Sequence, residues 1–184
     1  MLRHRTSCRS AGLLLLGMLL ALPRLATAAE VSVEFRLKAA FLLNFAKLVQ
    51  WPAARFKDSK DALRLCVLGA DPFGSVLDDT IRGKRIGERP ITVTRAAAAK
   101  DLLDCHLVYL GAGERSRYAA HMKALSDRSI LTVDEGSQFI WPLGMIRFYL
   151  DQDRVRFEVS PSTMEKAQLQ MDPRMVKIAR IVSQ

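Results

Sequence analysis

The sequence predicts an α/β fold in which helices flank a mostly parallel central sheet. Two similar apolar stretches, Leu63–Gly69 and Cys105–Gly111, each end in glycine, as strands buried on both faces of a sheet often do. Strand-like and helix-like segments alternate four times, which is typical of a three-layer α/β sheet. Because the chain has 184 residues, 49% of them apolar, we expect a single domain with one sizeable core.

The N-terminal segment has the pattern of a secretory signal peptide. Arg3, Arg5 and Arg9 precede a ten-residue apolar run that starts at Leu13, and a small-residue site ends at Ala28. A membrane anchor is the alternative, but ten helical residues span only about 15 Å of a hydrocarbon core of about 30 Å. We therefore expect residues 1–28 to be removed and residues 29–184 to form an exported domain without a stable membrane anchor.

The charge pattern does not favour a nucleic-acid partner. Residues 1–28 contain four arginines and no acidic residue, so the remaining chain has 24 basic and 19 acidic residues and a net charge of about +5. The basic residues are scattered among acidic ones and form no stripe with aromatic residues. A solvated surface explains this distribution better than a nucleic-acid interface does.

Export also predicts a disulfide bond between Cys66 and Cys105. Once Cys8 leaves with the signal peptide, these are the only two thiols, and the compartment is oxidising. One geometric difficulty remains, because Cys66 lies three residues before Gly69 whereas Cys105 lies six before Gly111. In matched register the two side chains would face opposite sides of the sheet, so the bond requires either a shifted register or Cys105 outside its strand.

The first half of the domain begins with a helix and continues into the first crossover. Residues 33–50 place apolar side chains on two neighbouring helical faces, and the helix is expected to stop before Pro52. After the first strand, Asp71 can cap a second helix with Pro72 at its first position, running to about Ile81.

The middle of the chain continues the alternation. Pro90–Thr94 is predicted to be a strand and Ala96–Leu103 a short helix, followed by the strand Cys105–Gly111. Arg115–Leu125 has apolar residues at helical spacing, and Ser129–Val133 is predicted to be a fourth strand.

The last part of the chain predicts an antiparallel edge followed by two short helices. Met145–Leu150 and Arg154–Val159 are separated by three residues and predict a hairpin. Pro161 and Pro173 each suit the first turn of a short helix. The second of these helices is expected to include Arg174–Val182.

This final segment is the predicted protein interface. It has six apolar residues in nine, more than one buried stripe of a short helix needs, and we single out Met175, Ile178 and Val182. The alternative is that the helix simply covers the sheet. The same surface could also form a homodimer.

A small-molecule site is the second hypothesis. Open α/β sheets bind ligands at the carboxyl ends of their strands, where Gly69–Gly74 and Gly111–Arg115 are expected to meet. The candidate ligand turn within the first of these segments consists of Asp71, Phe73 and Gly74.

Catalysis, cofactors and metals are not expected. Gly111-Ala-Gly113 follows a strand but lacks the third glycine of a dinucleotide-binding loop, and no nucleophile elbow or Walker loop occurs. After removal of the signal peptide only His106 and His121 remain, and Cys105 and His106 would point to opposite faces of a strand. Long repeats of the kind that a cell-envelope scaffold needs are also absent from the sequence.

Several short motifs, taken together in their order and spacing, resemble one family across nearly all of the exported chain. They are Lys38–Lys47 running into Trp51-Pro52, Cys66–Gly74, Cys105-His106, Leu110-Gly111, Leu131–Val133, Gly144–Ile146 and Val155–Glu158. The chain resembles the YfiR/HmsC-like periplasmic proteins, although Arg147 stands where that family usually has asparagine. The resemblance implies a periplasmic regulator that binds the periplasmic sensor portion of an inner-membrane diguanylate cyclase and holds it inactive.

Overall fold

The computed structural model describes residues 32–125, 128–135 and 144–182. The predicted signal peptide, residues 1–28, lies outside the described residues. The helices are α1 (Val33–Leu48), α2 (Ser75–Ile81), α3 (Tyr118–Leu125), α4 (Pro161–Lys166) and α5 (Pro173–Val176), and 3₁₀ helices span Ala53–Arg55, Ala99–Leu102 and Ala112–Arg117. The strands are β1 (Val49–Gln50), β2 (Leu63–Leu68), β3 (Arg85–Ile86), β4 (Arg89–Ala96), β5 (Leu107–Leu110), β6 (Leu131–Glu135), β7 (Ile146–Asp151), β8 (Arg154–Val159), β9 (Gln170–Met171) and β10 (Arg180–Ile181).

Eight of these strands form one mixed sheet in the order β10-β8-β7-β6-β5-β2-β4-β3. The five central strands, from β4 to β7, are parallel. β7 and β8 form the predicted antiparallel hairpin, and β10 lies parallel to β8 outside it. The predicted α/β class, with a mostly parallel sheet and a hairpin near one edge, is confirmed.

Helices cover both faces of the sheet, which gives the predicted three layers. On one face, α1, α2 and α4 pack on the larger core, where Phe45, Tyr109 and Phe148 are fully buried. On the other face, the 3₁₀ helix Ala99–Leu102 and α3 cover a smaller core that contains both cysteines. The two similar stretches of the sequence are therefore adjacent central strands, β2 and β5.

The first helix is two residues shorter than predicted. α1 begins with Ser32 as its cap, whose hydroxyl accepts a hydrogen bond from the backbone N–H of Phe35. It ends at Leu48, because Val49 and Gln50 become extended and pair with β9 as strand β1. Pro52 therefore follows a short strand rather than the helix itself.

The predicted start of the second helix at Pro72 is wrong. The carboxylate of Asp71 accepts a hydrogen bond from the backbone N–H of Phe73 and forms a local turn instead of a helix cap. Gly74 then adopts a positive φ of 53°, and α2 begins at Ser75. This turn inserts the ring of Phe73 into the core.

The predicted final helix is also wrong in extent. α5 has only four residues and ends at Val176, and the chain then becomes extended at Arg180–Ile181 to form β10. Asp172 caps α5 by accepting a hydrogen bond from the backbone N–H of Arg174. Met175, Ile178 and Val182 consequently do not share one helical face.

Candidate functional site

Cys66 and Cys105 form the predicted disulfide bond. Their Cα atoms are 6.0 Å apart, and both residues are buried in the smaller core. Cys66 lies opposite Val108, whereas Cys105 comes two residues before β5 begins. The geometric difficulty raised by the sequence is thus resolved by the second of the two alternatives, because Cys105 lies outside its strand.

Two arginines hold the backbone that carries Cys105. Arg55 donates hydrogen bonds to the carbonyls of Leu103 and Cys105, the latter at 2.6 Å. Arg64 donates to the carbonyl of Asp104 at 2.7 Å. These three consecutive carbonyls precede β5 and lie outside its ladder, so the guanidinium groups satisfy acceptors that regular structure leaves open. The sequence pattern gave no indication of this clamp.

The imidazole of His106 is fully buried and hydrogen-bonds to the backbone of both of these arginines. Its Nδ1 accepts a hydrogen bond from the backbone N–H of Arg64 at 3.1 Å, so the ring proton is on Nε2, which donates to the carbonyl of Arg55 at 3.2 Å. The ring stacks on Phe56 at a centroid distance of 4.4 Å. Burial, reinforced by the charge of Arg55, lowers the pKa of His106 to about 4. His106 therefore stabilises the fold as a neutral ring.

The two turns at the carboxyl ends of β2 and β5 meet as predicted. The backbone N–H of Gly111 donates to the carbonyl of Leu68 at 2.9 Å. A Cβ atom on Gly111 would lie 2.5 Å from the carbonyl oxygen of Ala70, so only glycine fits there. The side chain of Glu114 covers Gly69, and its carboxylate lies within hydrogen-bond distance of His121 Nε2, at 2.9 Å. The usual ligand position of such a sheet is therefore occupied in part by the protein's own carboxylate.

The candidate ligand turn is held by Arg95. Arg95 donates to the carboxylate of Asp71 at 2.9 Å, to the carbonyl of Gly74 at 2.9 Å and to both oxygens of Asp78. The hydrogen bond from Arg95 holds the pKa of Asp78 below its ordinary value. Phe73 is buried and packs edge-on against Tyr109 at 4.8 Å. A ligand at Asp71, Phe73 and Gly74 stays a prediction, and it would compete with these contacts.

A third ionic cluster lies at the carboxyl end of β6. The ammonium group of Lys38, in the buried middle of α1, contacts the carboxylates of Glu34 and Glu135. It also lies 4.6 Å from the centroid of the Phe35 ring. Burial raises the pKa of Tyr109, and the negative charge of Glu135 adds a smaller increase. A lysine within a buried apolar helix is the one sequence signal for this cluster.

A row of charged residues crosses the hairpin end of the sheet. Asp134, Arg147, Glu158 and Arg180 lie directly opposite one another on β6, β7, β8 and β10. The carboxylate of Glu158 is buried and accepts from Arg147 at 2.6 Å and from Arg180 at 3.1 Å. Arg147, which stands where the resembled family usually has asparagine, thus pairs with the same carboxylate that binds Arg180 of the terminal strand.

The predicted interface residues occupy three different environments. Met175 is 5% exposed and belongs to the larger core, whereas Ile178 is 59% exposed and Val182 is half-buried. Ile181, which the sequence analysis did not single out, is also exposed. Beside this segment, α4, β9 and α5 enclose a groove of about 340 Å³ whose apolar lining includes Pro161, Met164 and Val176.

Neither a metal centre nor a membrane span is evident in the part of the chain that the structure describes. Within residues 32–125, 128–135 and 144–182, no three His, Cys, Asp or Glu side chains are grouped as metal ligands would be. Over the same ranges, no helix has the length and apolarity needed to cross a bilayer.

Comparison with known proteins identifies the family. No curated protein matches the sequence. A protein-family model described as YfiR/HmsC-like matches residues 35–180, which is most of the chain and nearly all of the described structure. The match confirms the resemblance that the motifs indicated, and the chain belongs to the YfiR/HmsC-like family.

Proposed function

We propose that this protein binds the periplasmic sensor portion of an inner-membrane diguanylate cyclase and represses it, which lowers cyclic di-GMP signalling and biofilm formation. Family membership over residues 35–180 carries this proposal, because YfiR/HmsC-like proteins are periplasmic regulators of diguanylate cyclase signalling and belong to a non-enzymatic family. Export by the segment 1–28 would bring the protein to the compartment where such a partner is accessible.

Side-chain chemistry at the carboxyl edge of the sheet supports a role in protein binding. Ion pairs occupy this edge beside β2, β5 and β6, because Asp71 is paired with Arg95, Glu114 with Arg117 and Glu135 with Lys38. Groups that are already paired gain little from a polar ligand, because they must first give up these contacts. An exposed apolar surface carries no such cost.

We place the partner surface on the terminal segment, at the exposed Ile178 and Ile181 and the half-buried Val182. The neighbouring groove of about 340 Å³ could receive an apolar side chain of the partner. Met175, which the sequence analysis included in this surface, would support it from the core.

Single aspartate substitutions separate contact residues from core residues. Ile178→Asp is expected to leave the protein folded but unable to repress, because the side chain is exposed. Met175→Asp should instead lower the folded fraction, because it places a charge in the core. The measurement is cyclic di-GMP in a strain that lacks the chromosomal gene and expresses each variant, with the amount of folded protein in the periplasm determined in parallel.

Lys100→Asp is the matched control, since Lys100 is exposed on the 3₁₀ helix Ala99–Leu102. It should repress like the wild type. Full repression by Ile178→Asp and by Ile181→Asp would exclude the terminal segment as the partner surface.

A periplasmic small-molecule binder is the second candidate function. The meeting of Gly69–Gly74 and Gly111–Arg115 at the carboxyl edge favours it, because this is where doubly wound sheets usually bind ligands. Native mass spectrometry of the protein purified from periplasm tests it directly. A stoichiometric bound molecule that is lost in an Asp71→Ala variant would support the binder, and a mass equal to that of the bare chain would count against it.

A further inference from the structure

In the described part of the chain, no strand pairs with the outer edge of β8 at its first residues, because β10 covers only the end of β8. β10 pairs with β8 only at Glu158 and Val159, whereas β8 begins at Arg154. The carbonyl of Val159 accepts a hydrogen bond from the backbone N–H of Val182 and so faces β10. Backbone groups of alternate strand residues point the same way, so the N–H and C=O of Val155 also face this edge. They are positioned to pair with one more strand.

A groove of about 490 Å³ follows this edge. Its apolar wall consists of Val33 and Leu37 from α1 together with Leu150 and Val155 from the hairpin. Val33 is 79% exposed and Leu150 is 52% exposed, which is unusual for large apolar side chains that lie together. Arg154 and Arg156, on the opposite face of β8, line the same groove, so the groove wraps around the strand edge itself.

The charges beside the groove indicate which charge a bound segment should carry. Arg154 and Arg156 are both exposed, and among the described residues neither forms an ion pair. Of the two acidic residues that line the groove, Glu34 is bound to Lys38 and Asp153 lies at the hairpin turn. A second copy of β8 paired along this edge would bring the arginines of two chains together, so like-charge repulsion disfavours self-association here.

We propose that this edge binds an extended segment of a partner protein by β-strand addition, and that the segment alternates apolar and acidic residues. Because side chains of a strand alternate between faces, its apolar residues would contact Val33, Leu37 and Leu150 while its acidic residues face Arg154 and Arg156. Backbone hydrogen bonds to Val155 would fix its register. This groove adjoins β10 but has no lining residue from the terminal segment, and the proposal does not depend on cyclase repression.

A synthetic peptide tests the proposal on the purified chain of residues 29–184. The probe is an acetylated, amidated hexapeptide that alternates valine and glutamate, titrated into isotopically labelled protein. We expect the amide resonance of Val155 to shift and its hydrogen exchange to slow. An Arg154→Glu, Arg156→Glu variant should bind this peptide roughly tenfold or more weakly and should prefer a valine–lysine hexapeptide. Leu150→Asp should weaken both interactions.

Two controls make the outcome decisive. Lys100→Asp, an exposed substitution outside the groove, should bind as the wild type does. A peptide with N-methylated alternate amides should not bind, because it cannot donate the strand hydrogen bonds. Equal binding of the glutamate and lysine peptides to the wild type, full binding of the N-methylated peptide, or no change at Val155 with millimolar peptide would each overturn the proposal.

Discussion

Among single residues, His106 links the stability of the fold to pH. Its pKa is about 4 in the folded protein, against an ordinary value of 6.5, because burial disfavours the imidazolium. Between these values the unfolded chain binds a proton that the folded chain does not. The free energy of unfolding should therefore be highest above pH 6.5 and fall by up to about 3 kcal/mol as the pH drops toward 4.

Urea unfolding between pH 7.5 and pH 4.5 measures this contribution. Carboxylates also titrate at the acidic end, so the informative quantity is the difference from a His106→Gln variant. The variant should be less stable at pH 7.5, because its side chain replaces a buried ring that stacks on Phe56. It should also lose less stability on acidification than the wild type. Parallel stability curves for the two proteins would show that His106 does not titrate as described.

Lys38 is the second residue whose removal should have a large effect. Lys38→Met removes the ammonium group that contacts the carboxylates of Glu34 and Glu135 beside Tyr109, and we expect a loss of about 3 kcal/mol in the free energy of unfolding. Adding Glu135→Gln should recover part of that loss, because one of the two carboxylate charges that faced this ammonium group is then gone. Lys47→Met, an exposed position near the end of α1, should change stability by less than about 0.5 kcal/mol. No recovery in the double variant would mean that the charge of Glu135 does not account for the loss.

At the scale of elements, the disulfide bond joins β2 to the segment that precedes β5. It closes a loop with a sequence separation of 39 residues, for which the chain-entropy model gives about 4 kcal/mol. Both cysteines are buried, and Arg55 and Arg64 hold the Cys105 segment independently of the bond. We therefore expect a structural bond rather than a redox sensor. A Cys66→Ala, Cys105→Ala variant should be less stable but should still repress where it folds.

A redox titration of the mature protein distinguishes the two roles of this bond. A structural bond should have a midpoint below about −300 mV and leave no free thiol in the folded, unreduced chain. A higher midpoint, together with loss of repression on mild reduction while the chain stays folded, would assign the bond a sensing role instead.

The elements with strong local patterns could be predicted from the sequence, and those that depend on distant partners could not. β2 and β5 were predictable because an apolar run that ends in glycine is a local signal. The prediction of a long terminal helix was wrong, because residues 174–182 are apolar enough to form either a helix or a strand. Backbone pairing with the end of β8, and the carboxylate of Glu158, which binds Arg180, stabilise the segment as a strand. Similarly, the partner of Lys38 lies 97 residues away, at Glu135.

In the candidate sites, too, local features were predictable from the sequence and features that depend on distant partners were not. The cysteine pair was predictable because composition left only one pairing, although the position of Cys105 outside β5 was not. The meeting of the two glycine turns was predictable from the order of parallel strands. The role of Arg95 in holding Asp71 and Gly74 was not, because it depends on the register of β4 against β2.

At the scale of the whole molecule, paired charges occupy the carboxyl edge of the sheet, and within residues 32–125, 128–135 and 144–182 the large exposed apolar side chains lie in two groups. Ile178 and Ile181 lie on the terminal segment, and Val33, Leu37 and Leu150 lie beside the open edge of β8. This arrangement suits a protein that acts through contact with other proteins. We propose that one such contact represses a diguanylate cyclase from the periplasm.

The most direct test is the level of cyclic di-GMP after deletion of the gene, measured together with surface attachment. We expect both to rise. Expression of residues 1–184 should return them to the wild-type level, and a version lacking residues 2–28 should not, because it is not exported. The increase should also disappear when the partner cyclase is removed. Unchanged cyclic di-GMP in the deletion strain under several growth conditions, or full restoration by the version without residues 2–28, would contradict the proposal.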